Sequence, residues 1–238
     1  TVWNGGASTR ESAEYCGTSM STPLVSGVVA LVMQEAMTNP SDPFRRVAKK
    51  MTHQEMKALL THTAQDVSGF DQTNPGPDYA TGWGIVDAEA AVILLRNGGL
   101  MQGSVQETGV AGAWTHPVPV HTGQSELKIT IAWTDPPGNP RAAKALVNDL
   151  DLRLISPDGT EYTPWSLGGM EAPSAPAVRN GGNDDVNNVE QVSILSPAAG
   201  QWQVKVKSDP GNMPFGPQSF AVAGIVSADA AVSYTHLR

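Results

Sequence analysis

Residues 16–32 read CGTSMSTPLVSGVVALV, a short polar elbow followed by a run that is apolar on nearly every side. From Ser19 to about Met37 the residues Met20, Leu24, Val25, Val28, Val29, Leu31, Val32 and Met33 surround a helical axis, with small Ser21, Ser26 and Gly27 between them. A helix apolar all round is expected to be buried. Pro23 is expected in the first turn, where its missing N–H is harmless, so the helix begins close to Ser19. Nucleophilic catalysis by serine needs an exposed hydroxyl, backbone N–H groups aimed at the developing oxyanion, and a base within reach. A serine in the first turn of a rigid helix has the free N–H groups and the positive helix end beside it. Gly17 allows a substrate backbone to approach closely. Ser and Thr at a helix start are also ordinary N-caps, and spacing alone does not separate the two roles.

Working outward, Thr52 followed by Glu55 predicts a capping box that opens a second helix with Met56, Leu59, Leu60 and Thr63 as its apolar stripe. His53 and His62 are assigned to its surface or last turn. Asp87 predicts the N-cap of a third helix over Ala88 to Arg96 that stops at Gly98-Gly99. Residues 1 to about 99 thus read as helical.

Past Gly103 the period changes to two. Leu127 to Trp133, Leu150 to Leu154 and Trp202 to Val206 alternate apolar with polar residues, and Phe220 to Val226 ends the series. This predicts half-buried antiparallel strands with one polar face. Turn signals such as Asp135-Pro136-Pro137-Gly138, Pro157-Asp158-Gly159 and Asp209-Pro210-Gly211 separate them, which indicates a sandwich or jelly roll. The division expected is 1–103, 104–226, and an unassigned tail over 227–238.

Composition narrows the function classes. The 238-residue chain is 40% hydrophobic with 24 Gly and 18 Pro, suited to a turn-rich globular protein. Its net charge of -8, from 15 basic and 23 acidic residues, offers no field for nucleic acid. No segment reads as the roughly 20 apolar residues of a membrane span. The single cysteine, Cys16, cannot form an internal disulfide and reads as a small buried hydrophobe. Beginning at Thr1 without Met, the chain reads as a fragment of a larger protein.

Gly17-Thr18-Ser19-Met20-Ser21-Thr22-Pro23, followed by Val25-Ser26-Gly27, resembles the serine motif of the subtilisin-like serine proteases, with Ser21 where that family usually has Ala. Ala58-Leu59-Leu60 through Thr63-Ala64 resembles the family's next helix, and Tyr79 to Ala88 its G-x-G turn and final helix. Ala132-Trp133-Thr134-Asp135, Leu146 to Leu152, Pro157-Asp158-Gly159 and Asn187-Asn188-Val189-Glu190 resemble the C-terminal β-barrel, of jelly-roll type, of one alkaline branch. The resemblance implies the end of an α/β catalytic domain followed by an all-β antiparallel module. It implies a serine endopeptidase in which Ser19 is the nucleophile and a backbone oxyanion donor, Thr18 supports the oxyanion, and the substrate is a protein or peptide. It also implies secretion.

None of the histidines His53, His62, His116, His121 and His236 stands in the family's His-Gly-Thr setting, and no Asp stands in its Asp-Ser/Thr-Gly setting, so this chain alone is expected to be inactive. Lacking the parallel sheet, residues 1 to 99 are expected to expose apolar surface. Asp149 and Asp151, two apart on a strand, and Asp184 in a Gly- and Asn-rich loop form a candidate set of hard oxygen ligands for calcium, and the resemblance carries structural calcium to the same three residues. Asp and Asn in turns also bond locally without any metal. A monomer is expected. The alternative function is an inactive truncated chain whose sandwich acts as a binding or stabilising module. A hydrolase of the Gly-x-Ser-x-Gly kind is disfavoured, because the residue two after Ser19 is Ser21.

Overall fold

The computed structural model describes residues 17–38, 51–66, 76–109, 112–169, 176–179 and 182–225. Cys16, His236 and the 227–238 tail lie outside these. The described residues form three helices and two antiparallel sheets, a mixed α/β fold.

Helix α1 spans Thr18–Thr38, α2 His53–Thr63 and α3 Ala88–Arg96. The α2 capping box forms in full: Glu55 N donates to the Thr52 hydroxyl oxygen at 3.3 Å, and Thr52 N donates to the Glu55 carboxylate at 2.7 Å. Asp87 caps α3 by accepting from Ala90 N at 2.8 Å. The Gly82-x-Gly84 turn holds because both glycines have positive φ, +65° and +109°. A Cβ on Gly84 would lie 2.1 Å from the Gln65 carbonyl oxygen, which accepts from Ile85 N.

The strands are β1 (Leu100–Val105), β2 (Trp114–Val120), β3 (Glu126–Trp133), β4 (Asp151–Ile155), β5 (Glu161–Tyr162), β6 (Val189–Leu195), β7 (Gly200–Lys207) and β8 (Gln218–Ala223). One sheet has the order β1-β8-β3-β6 and the other β2-β7-β4-β5. The expected division at 103 falls inside β1. Between the sheets lies one core, with Ile129, Ile131, Trp133, Leu152, Leu154, Trp202, Val204, Phe220 and Val222 all but sealed from solvent. A second core lies outside the first sheet, where Ala132, Val189, Ala221 and Ala223 receive Ala58 and Leu59 of α2, Leu94 and Leu95 of α3, and Val32 and Ala36 of α1. The small alanines let the helices come down closely on the strands.

Several expectations are corrected by this layering. The outer face of β3 is covered by helices, so Thr130 is buried along with Ala132. Met56, Leu59 and Leu60 of α2 pack on the second core as expected, but its buried residues also include Glu55, Ala58 and His62, which puts His62 in the interior. Pro23 sits in the second turn of α1, where it withholds the N–H that would bond the Ser19 carbonyl.

Helix α1 is not buried as its composition suggests but largely exposed, the apolar exposure expected of residues 1 to 99 without a parallel sheet, with Leu24 70% accessible and Met20, Leu31 and Met37 also open. Only its C-terminal half packs, chiefly on α3, where the Arg96 guanidinium donates to both Glu35 carboxylate oxygens at 2.8 Å each. Apolar composition marks a helix that needs cover, and the cover is not among the described residues. Contrary to the sequence expectation, Thr18–Met37 is also long and apolar enough to cross a membrane by length and composition, with a mean hydropathy of 1.2.

Candidate active site

Gly17 stands at the mouth of α1 with φ +141° and open space where a Cβ would be. Its carbonyl accepts from Met20 N at 3.0 Å and Ser21 N at 3.3 Å, which winds the first turn tightly. The neighbouring hydroxyls are used up along the helix: Thr22 Oγ1 donates to Thr18 O at 2.8 Å and Ser26 Oγ to Thr22 O at 3.0 Å. Thr18 and Ser19 differ, because neither hydroxyl has a partner among the described residues. Both are exposed, beside the free N–H groups of the helix start. A depression along the helix is lined by Thr18, Ser21, Thr22, Val25, Ser26 and Val29, and Ser19 is not among its walls.

None of the described histidines stands at Ser19. His62 bonds Thr130, and His116 stacks on Trp114 with ring centroids 5.7 Å apart. The helix mouth therefore presents exposed hydroxyls beside free N–H groups, with no histidine bonded to them among the described residues.

The proposed calcium ligands are buried, not on a solvated face as their alternation suggests. Asp149 accepts from Lys144 Nζ at 2.8 Å. Asp151 lies 3.2 Å from Arg153 Nη2 and 3.6 Å from Lys207 Nζ. Lys207 also bonds Asp209, and Arg153 bonds Asn183, which closes the loop over the strand. Asp184 accepts from the N–H groups of Val186 and Asn187 and from the Asn187 amide, so it serves its own turn. Burial raises the carboxyl pKa of Asp149 and Asp151 above the ordinary value, against the pull of their cations.

With ammonium and guanidinium groups already seated on two of the three carboxylates, this donor set does not fit a calcium ion. Among the described residues no group of three acidic, histidine or cysteine side chains is arranged to hold a metal. One member of the cluster escaped the sequence reading. Glu190 is 1% exposed, accepts from Leu152 N at 2.6 Å, and leaves Oε1 buried without a partner. Its carboxyl is pushed well above the usual range by burial. The available signal was parity, since Glu190 shares the inward face of Val192 and Ile194 on β6.

A cavity of about 160 Å³ separates the Asp78–Trp83 turn from the sandwich, with Trp83 and Trp165 on its walls. Its polar groups serve one another, as where Lys57 Nζ donates to Asn188 Oδ1 at 2.6 Å.

The subtilase family model matches residues 4–84, the stretch that carries α1, α2 and the Gly82-x-Gly84 turn. Relatives from Dictyostelium discoideum include the serine protease/ABC transporter B family protein tagB, 34% identical over 96 residues that cover 40% of this chain and 5% of tagB. The protein of the same description named tagD is 24% identical over 251 residues, covering 86% of this chain and 14% of tagD. The chain thus spans a small part of these relatives' length. Together the matches support a protease family for the first part of the chain. Among solved structures, the Aeromonas hydrophila PliG lysozyme inhibitor aligns at a TM-score of 0.26 and 15% identity over 52% of this chain and 82% of its own, a likeness too low to bear on the fold.

Proposed function

We propose that the chain is the C-terminal part of a secreted subtilisin-like serine endopeptidase that cleaves protein or peptide substrates. Ser19 attacks the scissile carbonyl, its backbone N–H and an Asn side chain from another segment hold the oxyanion with support from Thr18, and a histidine and an aspartate from other segments activate the hydroxyl. The observation that carries this reading is the exposed Ser19 hydroxyl at the mouth of α1, unpartnered among the described residues like that of Thr18, whereas the hydroxyls of Ser21, Thr22 and Ser26 turn back onto the helix. The subtilase match over residues 4–84 supports it.

The sandwich is proposed as a jelly roll that stabilises the helical segment. The strand orders β1-β8-β3-β6 and β2-β7-β4-β5 support the first part of that statement, and the second core shared with α2 and α3 supports the other.

The test begins with the coding sequence upstream of Thr1. An Asp-Ser/Thr-Gly, then a His-Gly-Thr, then an Asn is expected there. The chain extended to include them should hydrolyse casein and react with a fluorophosphonate probe at Ser19. Ser19→Ala should remove both, lowering turnover by at least about 10³-fold. A start codon close to Thr1, or probe attachment elsewhere, would overturn the assignment.

A further inference from the structure

The face that α2 turns to the sheet is apolar at Ala58 and Leu59 but ends in an imidazole. His62 Nδ1 lies 3.1 Å from Thr130 Oγ1 on β3, and Gln191 Nε2 on β6 donates to the same oxygen at 2.9 Å. Thr130 and Gln191 are register partners, so strand pairing fixes this relay. With Gln191 donating to Thr130, the threonine proton is free to run to Nδ1, which sets the ring neutral with its own proton on Nε2. On its other flank the ring meets the backbone of Gly224, where a Cβ would lie 2.5 Å from His62 Cε1 and 2.3 Å from the Lys128 carbonyl oxygen. The ring is therefore clamped between a helix and a sheet.

A second proton has no welcome there. On β3, Glu126 and Lys128 share the face of Thr130, and the Lys128 charge opposes one on the ring. Strands β1 and β8 contain no titratable residue, and on β6 Glu190 faces the opposite, inner side, bonded to Leu152 N. On α2 itself the buried Glu55 is committed to Thr52, two turns away.

We propose that His62 is an acid-sensitive latch: protonation of the ring releases α2 from the outer face of the β1-β8-β3-β6 sheet while the core between the two sheets stays closed. Burial holds the docked ring neutral well below its ordinary pH range, whereas a ring swung into water titrates near pH 6.5. The open state then binds the extra proton. Docking is at full strength above about pH 6.5 and weakens roughly tenfold for each unit below it.

Hydrogen exchange of the whole chain, corrected for intrinsic rates, tests this at pH 7.5 and 5.0. Protection of the 53–63 amides is expected to fall about thirtyfold, while β4 and β7 keep theirs. His62→Gln, which retains a polar contact without the charge, should lose this pH dependence. NMR of the wild-type His62 Cε1–H covers a variant that does not fold: a neutral docked signal should persist to pH 5 while an open-state signal grows in. Equal protection of α2 at both pH values, an undiminished pH effect in His62→Gln, or a ring that titrates near pH 6.5 with α2 still protected would each overturn the latch.

Discussion

Leu59→Ala measures how strongly the helical layer is held to the sandwich. Leu59 is 0% exposed, set between Leu94 of α3 and the alanines of β3 and β8. Truncation removes three carbons, about 2.4 kcal/mol of transfer free energy at ~0.8 kcal/mol per methylene. The cavity left behind raises the cost, because a sheet surfaced with Ala132, Ala221 and Ala223 has no long side chain to move in. About 3 kcal/mol is expected, within the usual range for leucine truncation. At ~1.4 kcal/mol per factor of ten, that loss opens α2 about 150-fold more often, read as hydrogen exchange of the 53–63 amides. Urea unfolding followed by the fluorescence of Trp133 and Trp202, both in the inner core, is expected to keep its midpoint. A shared fall of both signals would mean that the two cores melt as one, and a loss under about 1 kcal/mol would mean that Leu59 is not the anchor.

Glu190→Gln copies the protonated acid. A carboxyl whose pKa is raised by folding stabilises fully below its ordinary 4.5 and loses that contribution as pH rises. The variant should therefore melt higher than wild type at pH 8, by about 1–3 kcal/mol, and nearly the same at pH 4. A wild-type equal to the variant at pH 8 would mean that the buried carboxylate has an ionic partner. For the metal, EDTA is expected to leave the melting temperature unchanged, since Lys144, Arg153 and Lys207 already face Asp149 and Asp151. Restoration of a chelator-sensitive melt by added calcium would return calcium to those carboxylates.

What the sequence disclosed about the sandwich follows strand position. The four strands legible from alternation, β3, β4, β7 and β8, are the central strands, buried by neighbours on both sides. The four not legible are the sheet edges. Edge strands escape the rules that shape central ones: β2 carries Pro117 and Pro119, β1 carries Gly103 under the Phe220 ring, β5 is two residues long, and β6 has Glu190 facing inward. Helix starts were legible because Thr52, Glu55 and Asp87 bond within a few residues of themselves. His62 and Glu190 were not, because what defines each of them lies 38 to 68 residues away in the chain.

The exposure of α1 has the same origin, and its C-terminal half indicates what kind of cover it needs. A lipid cover would suit Leu24, Leu31 and Met37, and the helix passes the length and hydropathy test for one. Yet Val32 and Ala36 are buried in the second core, and Arg96 grips both oxygens of Glu35. Moving α1 into a bilayer would strip the cover from those residues and leave a carboxylate in hydrocarbon, where a charge is costly. Staying on α3 keeps both and leaves the N-terminal half, with Ser19 at its mouth, open to solvent. An apolar face that continues outward from a packed protein core is completed most economically by more protein. Under the proposed function, the exposed face and the unpartnered Ser19 hydroxyl would be covered by the same protein segment, the one that carries the base.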